Sequence, residues 1–180
     1  MLSSKVQQRF DSNLGVHVYP EPSYESAMTR LVEDALRDPD PEIRRAAAKV
    51  VHVAPRLTFP AFNYPRLIDL MSEVATSDPE CAAVAIRTLS WYKQLTPEIA
   101  PAMARVLESG SNEDVAMVAF AITTVKLNSE WLSLRPSLGG RALDTTLDQA
   151  TLTTLRTAKA QLDALVPPLA SESDAEDADR

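Results

Sequence analysis

The 180-residue chain has little glycine, cysteine and histidine, and these shortages exclude several kinds of site. It contains four glycines, one cysteine and two histidines. Cys81 alone cannot form an internal disulfide or a cysteine-rich zinc site. With only His17 and His52, a metal site would depend mainly on carboxylates, and these show neither calcium-loop nor HExxH spacing. A GxSxG elbow, a P-loop and a GxGxxG turn are also missing, so we expect no metal, no cofactor and no enzymatic activity.

Long apolar runs are missing as well. No run of about 18 apolar residues occurs, and the opening MLSSKVQQRF is polar where a signal peptide needs an apolar core. We therefore expect a cytoplasmic protein without membrane insertion. The net charge is −7, and residues 171–180, SESDAEDADR, hold five acids and one arginine. Such a segment cannot bury enough apolar surface to offset its ordering entropy, which predicts a disordered acidic tail.

What the chain does contain is a recurring helix-start pattern. Asp40, Asp78 and Thr96 each supply a capping oxygen and are each followed by proline and glutamate. The oxygen accepts a hydrogen bond from an amide without a helical partner, the proline has no amide hydrogen, and the glutamate suits the positive end of the helix dipole. Asn112 occupies the same place without a proline. Each pattern predicts the first turn of a helix.

Apolar residues between these starts recur at helical spacing and predict pairs of helices. In the first pair, the residues expected to be buried are Met28, Leu31, Val32, Ala35 and Leu36, then Ile43, Ala47, Val50 and Ala54. The starts at 40, 78 and 112 are 38 and 34 residues apart, which leaves room for two helices and two turns. Helix pairs repeated at such a period are typical of an α-solenoid, so we predict an all-α fold, an α-α superhelix of about three pairs.

One stretch resembles a known repeat. DPDPEIRRAAAKVV, residues 38–51, is similar to the second-helix start of a HEAT repeat, particularly the short HEAT-like type also found in phycobilisome lyases. The resemblance implies a HEAT/armadillo-like fold in which Asp38 and Arg44 tie repeats together, with Ile43 as the aliphatic position. Later repeats keep the spacing without these charges. The expected structural positions of the repeats are Asp38, Asp40, Arg44, Asp78 and Asn112.

The pattern divides the chain into four segments. Residues 1–22 are expected to hold an N-terminal helix and its connection, because SSKVQQRFDSNL could form a short amphipathic helix that caps the stack. Residues 23–126 form the HEAT-like repeats, residues 127–166 a degenerate helical unit, and residues 167–180 the acidic tail. The oligomeric state is open, since an uncapped terminal repeat could pair with its copy.

Several single residues have expected structural roles. Cys81 should face the core as a small apolar residue, although a reactive thiol near a helix start is the alternative. Glu33 and Asp34 should be solvated because they lie opposite the predicted apolar stripe. Trp91 and Trp131 are expected in the core or at helix ends.

The second helices of such pairs line the concave side of a solenoid. Their side chains that point away from the predicted core therefore form the candidate surface. The candidate partner-binding residues are Arg44, Arg45, Lys49, His52, Arg87, Met117 and Phe120. This groove would be basic at one end and apolar at the other, which suits an acidic or amphipathic peptide. Ordinary exposed charges and partly packed apolar residues are the alternative interpretation.

The sequence therefore favours a non-enzymatic scaffold or adaptor that holds a partner protein or peptide on its inner face. A nucleic-acid-binding repeat protein is one alternative, disfavoured by the acidic balance and by the lack of a sustained basic stripe. A chromophore chaperone similar to the bilin lyases is the other, and only the family resemblance suggests it.

Overall fold

A computed structural model of the chain describes residues 22–53 and 64–166, and these residues contain α-helices and two short 3-10 turns but no strand. The 3-10 turns, Pro97–Ile99 and Ser129–Leu134, lead into the fifth and seventh helices. The all-α prediction is confirmed. The helices are α1 Pro22–Leu36, α2 Pro41–Val53, α3 Tyr64–Ser77, α4 Ala82–Trp91, α5 Ala100–Ser109, α6 Asn112–Thr124, α7 Arg135–Arg141 and α8 Gln149–Asp163.

The helices pack as successive pairs arranged in two rows. Each first helix packs against the next helix in the chain: α1 on α2, α3 on α4, α5 on α6 and α7 on α8. The second helices α2, α4, α6 and α8 pack side by side in chain order, and so do the first helices α1, α3, α5 and α7. This packing is compatible with a helical-repeat fold. The superhelix, the HEAT assignment and the segment boundaries stay predictions.

The predicted aspartate caps accept the expected hydrogen bonds. Asp40 Oδ1 accepts from the backbone N–H of Glu42 at 2.8 Å, and Asp78 Oδ1 accepts from that of Glu80 at 3.1 Å. Asp78 caps a turn that precedes α4, because α4 itself begins at Ala82. Thr96 makes no side-chain capping bond and is followed by the 3-10 turn instead. The helix starts are therefore placed correctly within a few residues.

The cap of α6 was predicted one residue too late. Ser111, not Asn112, caps this helix, since its backbone is extended and its Oγ accepts from the N–H of Asp114 at 3.2 Å. Asn112 is the first residue of α6. A further cap appears at Asp148, whose Oδ1 accepts from the N–H of Thr151 at 2.8 Å. The four capping positions, 40, 78, 111 and 148, are 38, 33 and 37 residues apart.

The buried face of α1 differs from the predicted one. Leu31 was expected in the core but is 62% exposed. Val32 and Leu36 are buried as expected, and the polar residues Thr29 and Glu33 are buried with them. They share one side of the helix, because positions three and four apart stack on the same face. The core of the first pair therefore includes two polar side chains that the apolar pattern did not select.

The buried face of α2 also differs. Ile43 and Val50 were expected in the core but are 44% and 42% exposed, whereas Ala47 is buried as expected, together with Ala48 and Val51. Each residue turns an α-helix by about 100°, so a shift of one position selects a different face. Because α2 has apolar residues on more than one side, its periodicity alone does not determine which side packs.

Glu33 links the first two pairs. It was expected to be solvated, but its side chain is only 5% exposed and forms a salt bridge with Arg66 of α3. Arg66 Nη2 donates to Glu33 Oε2 at 2.7 Å. A carboxylate can be buried when an ion pair and hydrogen bonds compensate for its lost hydration. Asp34 is exposed as expected.

Several expectations concern residues outside the described ranges. The N-terminal helix over residues 3–14, His17, Ala54 and the acidic tail all lie there. Within the described residues, no helix is both long and apolar enough to cross a membrane.

Candidate partner-binding surface

Arg44 lies at the junction between the first and second pairs. Its Nε is 2.6 Å from Asp78 Oδ2, and its Nη2 is 3.5 Å from Asp78 Oδ1. Its Nη1 donates to the backbone carbonyls of Asp38 and Pro39 at 2.9 and 3.0 Å. Asp38 therefore contacts Arg44 through its backbone, while its side chain accepts from the N–H of Asp40 at 2.8 Å. Arg44 ties the turn before α2 to the turn before α4.

Cys81 lies beside this junction and is fully buried, as expected. Burial raises the pKa of the thiol to about 12, and its hydrogen bond to Asp78 adds to this effect. Burial alone would raise the pKa of Asp78, but the hydrogen bonds from Arg44 and Cys81 outweigh it and lower that pKa. A thiol with so high a pKa is protonated at neutral pH, so Cys81 is a poor nucleophile.

Arg45 and Lys49 extend from α2 towards the start of α6. Arg45 Nη2 is 2.5 Å from Asp114 Oδ1, and Lys49 Nζ is 3.9 Å from Glu113 Oε1. Arg45 Nη1 also lies 3.5 Å from the backbone carbonyl of Glu80. Both acids lie in the first turn of α6, where the helix dipole favours negative charge. The basic end of the predicted groove therefore has acidic partners within the chain.

The Arg45–Asp114 pair spans two repeats, since the residues are 69 positions apart. Packed helices lie 8–10 Å apart, so a flat row would place the axes of α2 and α6 about 16–20 Å from each other. Between the two helices, Arg45 Nη1 lies 3.5 Å from the backbone carbonyl of Glu80, in the turn that precedes α4. The row of second helices is thus bridged at the end where these helices begin.

Exposed aromatic residues lie towards the opposite end of the same helices. The rings of His52 on α2 and Trp91 on α4 meet edge to face, with centroids 6.4 Å apart. One turn earlier on α4, Arg87 Cζ lies 3.6 Å from the ring centroid of Phe120 on α6. Trp91 is 47% exposed and Phe120 is 41% exposed. We call His52, Trp91, Arg87 and Phe120 the aromatic strip.

Met117 borders the aromatic strip. It lies one turn before Phe120 on α6 and is partly buried against the core. The seven predicted residues therefore occupy three places. His52, Arg87 and Phe120 belong to the strip with Met117 at its edge, Arg45 and Lys49 form ion pairs at the other end, and Arg44 lies in the junction.

Trp91 is the surface residue that the sequence analysis left out of the candidate surface. It is the last residue of α4, in keeping with the expected helix end, but nearly half of its side chain is exposed. Its position four residues after Arg87 was the available signal, because residues at this spacing share one face of a helix. Glu113 and Asp114 gave no such local signal, since their basic partners are more than sixty residues earlier in the chain.

Asn112 also connects neighbouring pairs. Its side-chain amide donates to the carboxylate of Asp148, the cap of α8. This bond, together with the N–H and hydroxyl of Thr151, lowers the pKa of Asp148 to about 2. The predicted structural role of Asn112 thus takes the form of a bond between pairs rather than a cap.

Comparisons with other proteins do not identify this surface. Comparison of the chain with models of protein families, with curated proteins and with solved structures found no match. Within residues 22–53 and 64–166, no three histidine, cysteine, aspartate or glutamate side chains lie close enough together to hold a metal ion. Function must therefore be inferred from the surface itself.

Proposed function

We propose that the chain is a non-enzymatic scaffold or adaptor that binds a partner protein through the aromatic strip. The observation that carries the proposal is the position of Trp91 and Phe120. They are large, exposed side chains on adjacent helices, and each contacts a cationic or titratable neighbour.

Binding energy at protein interfaces is concentrated in few residues, and tryptophan and arginine are enriched among them. Such anchors act best when they are already ordered, because ordering a side chain on binding costs about 0.5–1.5 kcal/mol. His52 supports Trp91, and the stack with Phe120 positions Arg87. The strip therefore offers a partner a large contact area formed by side chains that are already ordered.

The expected partner is an amphipathic segment with an apolar face and nearby carboxylates. Its apolar side chains would cover Trp91 and Phe120, and Met117 can adapt to their shape. Its carboxylates would lie near Arg87, because the positive charge of the guanidinium attracts them. The half-exposed Lys49 gives weaker attraction because Glu113 lies 3.9 Å away.

The charge pairing argues against phosphate as the ligand. A protein that binds a nucleic-acid backbone needs several lysines and arginines directed at phosphates. Here Arg44, Arg45 and Lys49 each have an aspartate or glutamate partner. The aromatic strip, by contrast, is placed where a peptide can reach it.

The test is affinity purification from an extract of the source cells, followed by mass spectrometry. Three baits are compared: the wild type, the double variant Trp91→Ser with Phe120→Ser, and the control Leu143→Ser. Leu143 is 82% exposed on the link between α7 and α8, so its substitution also removes a surface hydrophobe. We expect proteins that the wild type and the control retain to be lost by the double variant, at least tenfold.

A fourth bait separates the electrostatic contribution of Arg87 from the apolar contribution of Trp91 and Phe120. Arg87→Glu should weaken binding of an acidic partner further at low salt than at high salt, because exposed charges are screened by ions. Equal thermal melting curves for all baits would establish that they are folded. If the double variant and Arg87→Glu both retain every partner of the wild type, the aromatic strip is not the binding site.

A further inference from the structure

One side of α2 carries a row of exposed apolar residues that the proposed function does not use. Ile43, Ala46, Val50 and Val53 are spaced by three, four and three residues, so they lie along one side of the helix. All four are exposed, and the three larger ones expose 44%, 42% and 39% of their surface. We call these four residues the α2 flank.

The next second helix buries three of the four corresponding residues. When Asp40 is matched to Asp78, the α2 flank corresponds to Cys81, which directly precedes α4, and to Val84, Thr88 and Trp91 of α4. The first three of these are almost completely buried. This side of α4 faces α2, because Trp91 contacts His52 and Asp78 binds Arg44. The repeat thus uses this side of a second helix to pack against the preceding second helix.

A preceding second helix is not found beside α2 among the described residues. There α4 packs between α2 and α6, and α6 packs between α4 and α8, whereas α2 packs mainly on α1 and α4. The α2 flank is therefore an interface of the repeat without its usual neighbour. Solenoid ends of this kind need a cap, since the stack otherwise exposes the apolar side of its terminal helix.

We propose that the α2 flank is the docking face for the N-terminal segment of the same chain, residues 3–14. Chain order supports this occupant, because in each described junction a second helix is followed by a link and then by the next first helix. A segment that precedes α1 by a short link would accordingly reach the second-helix position beside α2. Residues 15–21 provide such a link.

The sequence of the segment fits the face. Residues 3–14 lie outside the described ranges, but their sequence places Val6, Phe10 and Leu14 four residues apart. A helix with this spacing would present one apolar side, which is what the α2 flank can bury. A second copy of the chain is the weaker choice, since a stable interface buries about 1,600 Å² and the flank offers only four side chains. The proposal is independent of the aromatic strip.

The test measures the reactivity of a thiol introduced by Val50→Cys in the full chain. The native Cys81 gives little background, because it is buried and its pKa is about 12. A thiol introduced by Leu143→Cys serves as the exposed reference. We expect a maleimide reagent to label position 50 at least tenfold more slowly than position 143.

A second set of variants identifies what protects position 50. Val6→Asp with Phe10→Asp should raise the labelling rate at position 50 at least fivefold, because an apolar side with two carboxylates cannot dock. The matched control, Gln8→Asp with Ser12→Asp, adds the same charge two positions away and should leave the rate unchanged. A simultaneous rise in Cys81 labelling would indicate unfolding, and Val6→Ala with Phe10→Ala then replaces the charged pair.

Three results would overturn the proposal. The first is equal labelling rates at positions 50 and 143. The second is protection at position 50 that neither pair of substitutions at Val6 and Phe10 reduces. The third is protection that increases with protein concentration, which would assign the α2 flank to a second copy.

Discussion

Replacing Gly110 by alanine should destabilise the fold, whereas replacing Gly140 should not. The backbone of Gly110 is extended, with φ −72° and ψ 161°, so any residue could adopt it. The restriction is space, because an added Cβ would lie 2.5 Å from the carbonyl oxygen of Val106 and 3.3 Å from Cβ of Asp114. That same oxygen accepts the Gly110 N–H at 2.8 Å, and the Gly110 carbonyl accepts from Arg141 at 3.0 Å. The clash is with backbone, so relieving it must disturb these two bonds.

The magnitude follows from these contacts. Overpacking costs about 1–3 kcal/mol and a weakened hydrogen bond about 1 kcal/mol, so Gly110→Ala should lower the free energy of unfolding by about 2–4 kcal/mol. Around Gly140, in α7, an added Cβ would meet nothing within 4 Å. Alanine is the better helix former there, so Gly140→Ala should raise stability by about 0.5–1 kcal/mol.

Urea unfolding followed by circular dichroism measures both effects. With a slope of about 2 kcal/mol per molar urea, the midpoint should fall by about 1–2 M for Gly110→Ala and rise by about 0.2–0.5 M for Gly140→Ala. Both variants add one methyl group, so the difference between their urea midpoints reports mainly the space available for a Cβ at each position. If the two variants unfold at the same urea concentration, the reasoning about Gly110 is refuted.

Three further predictions concern the backbone, a salt bridge and acid stability. Lys93 has φ 59°, which a non-glycine residue adopts at a cost of about 1–2 kcal/mol. Lys93→Gly should therefore raise the melting temperature by about 1–3 °C, whereas Lys93→Ala should not. Equal melting temperatures of these two variants would contradict this prediction. A double-mutant cycle with Arg45→Ala and Asp114→Ala should give a coupling of about 0.5–1.5 kcal/mol in urea unfolding, and a coupling near zero would mean that the pair does not join the repeats. The pKa of Asp148 is lowered to about 2, so the stability it contributes is complete above its unfolded value of 3.8 and is lost as pH falls through about 2. Asn112→Ala should make acid unfolding between these pH values less steep, and an unchanged acid profile would show that the bond has no effect.

The helix starts could be predicted from the sequence because the information is local. Asp40 and Asp78 cap backbone amides only two residues away, so a short stretch of sequence contains both the capping side chain and the amide that it caps. The error at α6 has a local reason as well. Serine and asparagine are almost equally good caps, and Ser111 precedes Asn112 directly, so the sequence could not choose between them.

The orientation of α2 could not be predicted because it depends on distant residues. Ile43 and Val50 form an apolar stripe as regular as the one that is buried. What fixes the rotation is the contact of Arg44 with Asp78, 34 residues later, together with the packing of Ala47 and Val51. Helical periodicity reports that a helix has an apolar side, but tertiary contacts decide which side is used when there are two.

The candidate surface was predictable only in part for the same reason. Arg87 and Phe120 were placed on a common face by the order of the helices, and the structure stacks one on the other. Arg45 and Lys49 also lie where the helix order places them, but their charges are balanced by Glu113 and Asp114 of a helix two positions along the row. A local pattern can indicate that a side chain is charged, but it does not reveal a partner so far along the chain.

In the second helices, the residues that link successive pairs differ from the residues proposed to bind a partner. Polar links between pairs lie where these helices begin, as in Arg44 with Asp78 and Asn112 with Asp148, and the one between Ser90 and Thr124 lies near the helix ends. The exposed rings of Trp91 and Phe120 lie at the other end, where they contribute less to the buried core. Substitutions at the helix starts should therefore change the unfolding free energy, whereas substitutions in the aromatic strip should change binding at nearly constant stability. Because the two sets act on different ends of the same helices, the strip can vary to suit a partner without loosening the links that hold successive pairs together.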